Sequence, residues 1–145
     1  QPPGNERDEA EWIAEIIQNS DIDLLLDLHN LYANARNFQF DPMDFIERIP
    51  SERIATIHLA GGKWIGVAGA TRLLDDHLHD VPDSVYELLV EIGARVSGPL
   101  TVILERDGAF PPFEHLLQQL DQAREALAIG RAHQSVSLRK EAAAA

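Results

Sequence analysis

Three apolar stretches of strand length, each ending on a polar side chain, constrain the fold of this chain more than any other feature. They are LLLDLHN, IATIHLAG and PLTVILERDG, and the polar residues are Asp27, His58 and Glu105. An apolar run without alternation predicts a strand covered on both faces, as in a parallel sheet. Because the carboxyl ends of parallel strands meet at one edge, we expect these three side chains to lie close together.

Helical patterns separate the three strands. Amphipathic spacing or an opening proline predicts helices over residues 9–20, 41–49, 85–96 and 111–132. The segments between them, residues 28–40 and 61–80, are rich in Asn, Gly and Asp and are predicted as connections. Alternating helices and strands predict an α/β fold in which helices cover a parallel sheet. Since three strands cannot close a barrel, the count favours half of a (β/α)8 TIM barrel.

The two ends of the chain carry their own expectations. The chain opens on QPPGNERDEAEW without an initiator Met, which is typical of a fragment or a processed product. It closes on SVSLRKEAAAA, a segment of simple composition. We therefore expect one domain over residues 1–132 and a disordered tail over residues 133–145.

Composition excludes several classes of function. The formal net charge of −12 argues against a nucleic-acid partner, because phosphate contacts need clustered Lys and Arg. The lack of cysteine excludes disulfides, thiolate-bound zinc, iron–sulfur clusters and thiol catalysis. No apolar run approaches the roughly 18 residues of a membrane helix and no signal peptide is visible, so we expect a cytoplasmic protein without a membrane partner. A metal site must then use His, Asp, Glu and Asn, which suit Fe(II), Mn(II) or Zn(II).

Each strand-end residue also has a purely structural interpretation. Asp27 could cap a turn by accepting backbone N–H bonds, and His58 could be a hydrogen-bonded core residue. Glu105 could form an ion pair with Arg106, which follows it directly. The functional interpretation depends on the matched positions of the three residues, since mixed imidazole and carboxylate ligands are typical of non-haem iron sites.

Two further segments add candidate ligands. His29 and Asn30 follow Asp27 at once, either as part of a site or as loop residues that face water. In LLDDHLHD, Asp75 and His77 are two residues apart, a spacing that can aim both side chains at one ion. A solvated acidic loop is the alternative for this second segment.

In these segments the chain resembles the DUF692 (UPF0276) family. The resemblance extends from about residue 11 to about residue 127 and rests on EWIAEI, LLLDLHNLYANARNFQFDP, RIATIHLAG, LLDDHLHDVPDSVYELL and ILERDGAFPPFEHLLQQLDQAR. The family includes iron-containing enzymes that modify cysteines in ribosomally made peptides, such as the methanobactin-biosynthesis and thiaglutamate-type oxygenases. Its members are similar to xylose-isomerase-like TIM barrels that hold two or three iron ions at the strand C-termini.

The resemblance implies a role for each candidate residue. The implied metal ligands are Asp27, His58, Asp75, His77 and Glu105. His29 lies where many relatives carry Asn and is a further candidate ligand, while Asn30 matches the Asn that follows and is expected to support the ligands. Departures from the family pattern occur at Gly62, Asp76, Leu78 and Asp80.

The resemblance also implies a fold and a function. We expect the C-terminal half of a xylose-isomerase-like barrel, as a fragment of a multinuclear non-haem iron oxygenase that is inactive alone. The metal would be iron, with Mn or Zn as alternatives. Expected partners are the missing N-terminal barrel half, a precursor peptide and a peptide-presenting protein. The alternative functions are a divalent-metal isomerase or hydrolase of the same superfamily, and a non-catalytic barrel remnant or interaction module.

Overall fold

The computed structural model of the chain describes residue 4 and residues 6–144, except for the side chains of residues 137, 138 and 140–144. These residues form α-helices, one 3₁₀ helix and β-strands. In chain order they are α1 (Glu9–Gln18), β1 (Leu24–Asp27), α2 (Leu28–Phe38), α3 (Pro42–Arg48), the 3₁₀ helix (Ser51–Arg53), β2 (Ile54–Leu59), β3 (Lys63–Val67), β4 (Ala70–Leu74), α4 (Asp83–Arg95), β5 (Thr101–Leu104) and α5 (Phe113–Ala144).

Strands β1, β2 and β5 form a parallel sheet with β2 in the centre. In the register of this sheet Asp27 lies opposite His58, and His58 lies opposite Ile103. The amide of Glu105 continues the ladder by donating to the Leu59 carbonyl at 2.9 Å. Because successive residues of a strand point to opposite faces, Asp27, His58 and Ile103 share one face of the sheet.

Helices cover the opposite face of the sheet. Ile57 and Leu59 are fully buried there, and Leu26 is almost so. These side chains pack in one cluster with the α4 residues Leu89 and Ile92. Full burial of such a side chain stabilises the fold by about 1.5–3 kcal/mol relative to exposing it. This covered face is therefore the main source of the stability of the fold.

The other face of the sheet stays open within the described part of the chain. Leu25 and Ile103 leave 49% and 41% of their surfaces exposed. A parallel sheet normally buries both of its faces, and β1 and β5 are here both edge strands. The result is a mixed α/β fold with a parallel sheet, as predicted, and it is consistent with part of a barrel.

Helices α4 and α5 cross closely at two glycines. A Cβ atom on Gly130 would lie 2.2 Å from the Val90 carbonyl oxygen, and one on Gly93 would lie 3.0 Å from the Leu127 carbonyl oxygen. Residues without a side chain permit this approach of two backbones. The crossing therefore fixes α5 directly against α4.

One segment that the sequence predicts as a connection is instead a helix. Helix α2 begins directly after Asp27, whose Oδ1 accepts a hydrogen bond from the Asn30 amide at 2.8 Å and so caps the helix. Three asparagines in this segment favour turns by intrinsic propensity. Burial of Leu28 and Leu31 overrides that preference, since packing supplies most of the stability of a helix in a protein.

The predicted long connection after β2 contains a hairpin, so the expectation of a structureless segment is wrong for residues 63–74. Strands β3 and β4 pair antiparallel. Ala68 and Gly69 form the two-residue turn, with φ of 48° and 82°, as the left-handed pair of a type I′ turn requires. The Asn37 side chain binds β4 from the other side, accepting from the Leu73 amide at 2.8 Å and donating to its carbonyl at 2.9 Å.

The described residues at the end of the chain, for which the sequence predicts a disordered tail, belong to the last helix. Helix α5 continues through Ala144, because Ala, Arg, Lys and Glu are strong helix formers and no Pro or Gly follows Gly130. The division into a domain over 1–132 and a separate tail stays a prediction. Neither α5 nor any other helix in the described residues is long and apolar enough to cross a membrane.

Candidate metal centre

Asp27, His77 and Glu105 meet at the carboxyl end of the parallel sheet. One ligand atom from each lies within 4.8 Å of the other two, and all three side chains are partly buried. Metal–ligand bonds to nitrogen and oxygen are about 2.0–2.2 Å long, so donors on opposite sides of one ion lie about 4.2 Å apart. Small side-chain movements are therefore enough to bring these three donors to one ion.

His77 is surrounded by four carboxylates. Its Nε2 lies 3.1 Å from Asp75 Oδ1 and 3.7 Å from Asp27 Oδ2. Its Nδ1 lies 3.4 Å from Glu105 Oε2 and 3.8 Å from Asp107 Oδ2. Among the described residues, no Lys or Arg forms an ion pair with any of these carboxylates. The group therefore carries excess negative charge around a single imidazole.

His58 is joined to this group through Glu105. Its Nδ1 lies 2.7 Å from Glu105 Oε2, the same oxygen that faces His77. Arg106 does not form the ion pair with Glu105 that the structural interpretation of the sequence allows, because its guanidinium binds Asp80. Glu105 thus lies between two imidazoles, and both are potential neighbours in a metal shell.

Asp75 is held from behind by the first turn of α2. His29 Nδ1 lies 2.5 Å from Asp75 Oδ1, and Asn30 Nδ2 donates to Asp75 Oδ2 at 3.1 Å. Burial raises the pKa of the Asp75 carboxyl, but the hydrogen bonds from His29 and Asn30 and the nearby His77 outweigh it, so the pKa lies below its usual value. Asp75 is therefore an ionised carboxylate whose orientation is fixed by two side chains.

His29 lies behind Asp75 and is fully buried. Its Nδ1 carries the proton if it donates to the carboxylate, and within the described residues its Nε2 has no hydrogen-bond partner. A Cβ atom on Gly62 would lie 2.6 Å from His29 Cε1 and 2.0 Å from the Leu74 carbonyl oxygen. Gly62, which has no side chain, thus leaves room for the His29 ring.

Two groups in this region escape the sequence reasoning. Asp107 faces His77, and its spacing of two residues from Glu105 repeats that of Asp75 and His77, so the same argument could have found it. Asp80 binds side chains from β5 onward that are 26 to 39 residues away in sequence. Nothing in the local sequence signals those contacts.

The segments that carry these residues also match known proteins. The family model described as "RiPP precursor modification enzyme MbnB/TglH/ChrH" matches residues 1–128. A UPF0276 protein of Caulobacter vibrioides (strain NA1000 / CB15N) is 40% identical over 123 residues, which are 85% of this chain and 42% of the relative. UPF0276 proteins of Shewanella amazonensis and Pseudomonas aeruginosa PAO1 are 36% and 39% identical, again over 85% of this chain and over 43% and 42% of their own lengths. The chain thus spans about two fifths of the length of the curated relatives it matches.

Proposed function

This chain belongs to the MbnB/TglH/ChrH family of RiPP precursor modification enzymes, and on that basis we propose that it is part of a multinuclear non-haem iron oxygenase. The substrate is a ribosomally made precursor peptide in which cysteine residues are modified. The family description supports the peptide substrate. The oxygenase activity and the modification of cysteine are proposed from the resemblance seen in the sequence.

The observation that carries the proposal is the gathering of carboxylates around His77. Asp27, Asp75, Glu105 and Asp107 all lie within 3.8 Å of its ring nitrogens. Carboxylates brought this close together repel one another, and each raises the free energy of its ionised neighbours. Because no Lys or Arg pairs with them in the described part of the chain, a bound metal cation would offset the repulsion that remains beside neutral imidazoles.

Iron fits the donor set, since imidazole mixed with carboxylate is the ligand combination of non-haem iron sites. Asp27, His77 and Glu105 would hold one ion, and His58 and Asp75, which lie beside Glu105 and His77 respectively, would supply further ligands to the centre. Iron held there would supply the activation of O₂ and the binding of a substrate thiolate. Manganese and zinc suit the same donors and are the alternative metals.

His29 and Asn30 would support the centre by holding Asp75. Each donates to a different oxygen of that carboxylate, which fixes its plane. Ligating carboxylates are commonly held by such outer hydrogen bonds, and their loss weakens metal binding. The sequence made His29 a candidate ligand; its full burial behind Asp75 favours an orienting role.

The centre is incomplete in this chain if the rest of a barrel supplies further ligands. The chain spans 42% of the length of a close relative, and the open face that carries Leu25 and Ile103 is the surface such a second half would cover. We therefore propose three partners: the N-terminal barrel half, the precursor peptide and a protein that presents this peptide. The isolated chain would then be catalytically inactive.

Anaerobic titration of the chain with Fe(II), followed by isothermal calorimetry and metal analysis, tests the centre. We expect His77→Ala and Glu105→Gln to weaken Fe(II) binding by about 100-fold. This is the upper end of the loss seen when residues that only orient metal ligands are changed. Asp23→Asn is the matched control, because Asp23 is an exposed carboxylate paired with Arg53 away from the sheet end. Equal affinity in His77→Ala and the unchanged chain would contradict the proposed centre.

Activity and O₂-consumption assays, run beside this titration, separate the alternative functions. A metal isomerase or hydrolase would be supported by Mn(II)-, Mg(II)- or Co(II)-dependent activity without O₂ consumption, and a non-catalytic remnant would bind no metal and ignore both substitutions. If the isolated chain bound two or more irons and oxidised a cysteine-containing peptide, the proposal that it holds only part of the site would be wrong.

A further inference from the structure

The loop that carries Asp75 and His77 ends at an anchored carboxylate, Asp80. Its Oδ1 accepts hydrogen bonds from Arg106 Nη2 at 2.6 Å and from Gln119 Nε2 at 3.2 Å, and its Oδ2 lies 2.9 Å from His115 Nε2. Arg106 follows β5, and the other two residues lie on α5. Charge-assisted bonds of this kind are the stronger ones in proteins. The loop is therefore tied at one residue to the segment that follows β5 and to α5.

The backbone beside Asp80 is held as firmly as its side chain. The buried Gln119 accepts a hydrogen bond from the Val81 amide at 2.9 Å through its Oε1. The Tyr86 hydroxyl donates to the Gln119 carbonyl at 3.1 Å. On the other side, a Cβ atom on Gly61 would lie 2.0 Å from the Asp80 carbonyl oxygen, so the two backbones are in direct contact. These contacts restrain this end of the loop.

His77, three residues before the anchor, has an unfavourable backbone conformation. Its φ is 55°, in the left-handed region that favours glycine. Such a residue persists where the surrounding structure over-determines it. The Asp107 amide donates to the His77 carbonyl at 3.0 Å on one side, and Asp80 fixes the chain on the other. The conformation that aims the His77 ring at the carboxylates thus depends on contacts outside the loop.

We propose that Asp80, with its partners Arg106, Gln119 and His115, is a positioning residue for the metal centre. It is not one of the proposed ligands; it holds the loop so that His77 and Asp75 face Asp27 and Glu105. This inference rests on the proposed function, because it presupposes that these residues bind metal. Asp80 departs from the family pattern in the sequence, so the family resemblance does not imply this anchor.

Co(II) is the probe for this inference, because its visible absorption reports the geometry of its ligands. We expect Asp80→Ala to weaken Co(II) binding about 10-fold, the lower end of the loss for outer-shell partners, and to change the absorption spectrum. Asp80→Asn, which keeps an acceptor oxygen for Arg106, should restore most of the affinity and the original spectrum. A residue that only stabilised the fold would leave the spectrum of the folded, metal-bound chain unchanged.

Asp121→Ala is the matched control, because it removes an exposed carboxylate that pairs with Arg124 on the same helix, α5. It should bind Co(II) like the unchanged chain. All measurements are made well below the unfolding midpoint of each variant. If Asp80→Ala does not fold, His115→Ala replaces it, since it removes only the partner of Oδ2, and a loss of about threefold is expected.

The outcomes separate the two proposals. Unchanged Co(II) affinity and spectrum in Asp80→Ala, or in His115→Ala where that variant replaces it, would overturn the positioning role and leave the metal centre standing. Failure of the unchanged chain to bind Co(II) and Fe(II) would overturn the proposed function, and the positioning role with it.

Discussion

The two faces of the parallel sheet are built for different purposes. On the covered face, Ile57 and Leu59 have no exposed surface and pack against α4. On the open face, Leu25 and Ile103 are nearly half exposed, and the same face ends in Asp27 and His58 at the carboxyl edge. The strands are the same three on both sides, so the contrast arises from alternate residues of one sequence.

This contrast shows how stability and chemistry are kept apart in the fold. The covered face buries apolar side chains, and an unpaired charge placed there would be costly. The open face ends in carboxylates and imidazoles, and a metal bound there, as proposed above, would offset the repulsion between the carboxylates. Substitutions on the two faces should therefore change different measured quantities.

The largest expected effect is on the covered face. Ile57→Ala should lower the free energy of unfolding by about 2–5 kcal/mol, because it leaves a cavity among fully buried side chains. Ile103→Ala, the matched change on the open face, should cost less than about 1 kcal/mol, because much of that side chain already faces water. Urea unfolding of both variants measures the difference. Equal losses would mean that the open face is packed in solution.

A smaller effect is expected at Asp27, which both caps α2 and belongs to the proposed metal centre. Asp27→Ala should lose about 1 kcal/mol of stability along with metal binding, since Asp27 caps α2. Asp27→Asn should keep the cap, and thus the stability of the metal-free chain, but still lose Fe(II) binding. Thermal unfolding and Fe(II) titration of both variants test this separation. The double role is refuted if Asn destabilises the metal-free chain as much as Ala.

The smallest effect is on the pH dependence of stability. The hydrogen bond from His115, with the charges of His115 and Arg106, holds the pKa of Asp80 below its ordinary value of 3.8 against the opposing effect of burial. A lowered folded-state pKa means that Asp80 contributes its full stability above pH 3.8 and loses it as pH falls through the folded value. Urea midpoints at pH 5, 4 and 3 should therefore fall less steeply for Asp80→Asn. Parallel pH profiles would count against this assignment.

The sequence predicted the elements that depend on apolar burial. It did not predict those that depend on contacts between residues far apart in the chain. The three strands and the polar residues at their ends could be predicted from the apolar runs, because a parallel strand covered on both faces is almost continuously apolar. Helix α2 was missed because its asparagines favour turns, while the burial that overrides them is invisible in the local sequence. The β3–β4 hairpin was missed because Ala68 occupies a left-handed position more typical of Asn or Gly.

The site shows the same division. Asp75 and His77 could be proposed from their spacing, and Asp107 could have been found by the same rule. The contacts of Asp80 could not, because its partners Arg106 and Gln119 are 26 and 39 residues away and carry no local signal. Only the folded chain shows that one carboxylate joins the loop to α5.

The open face and the two sheet edges, which pair with no further strand in the described residues, also affect how copies of the chain behave toward one another. Exposed strand edges beside apolar side chains are templates for association between molecules. The net charge of −12 keeps neighbouring molecules apart at neutral pH. That repulsion vanishes near the isoelectric point of about 4.7, where colloidal stability should be lowest. At neutral pH the acidic surface of the chain thus opposes association through the open face of the sheet.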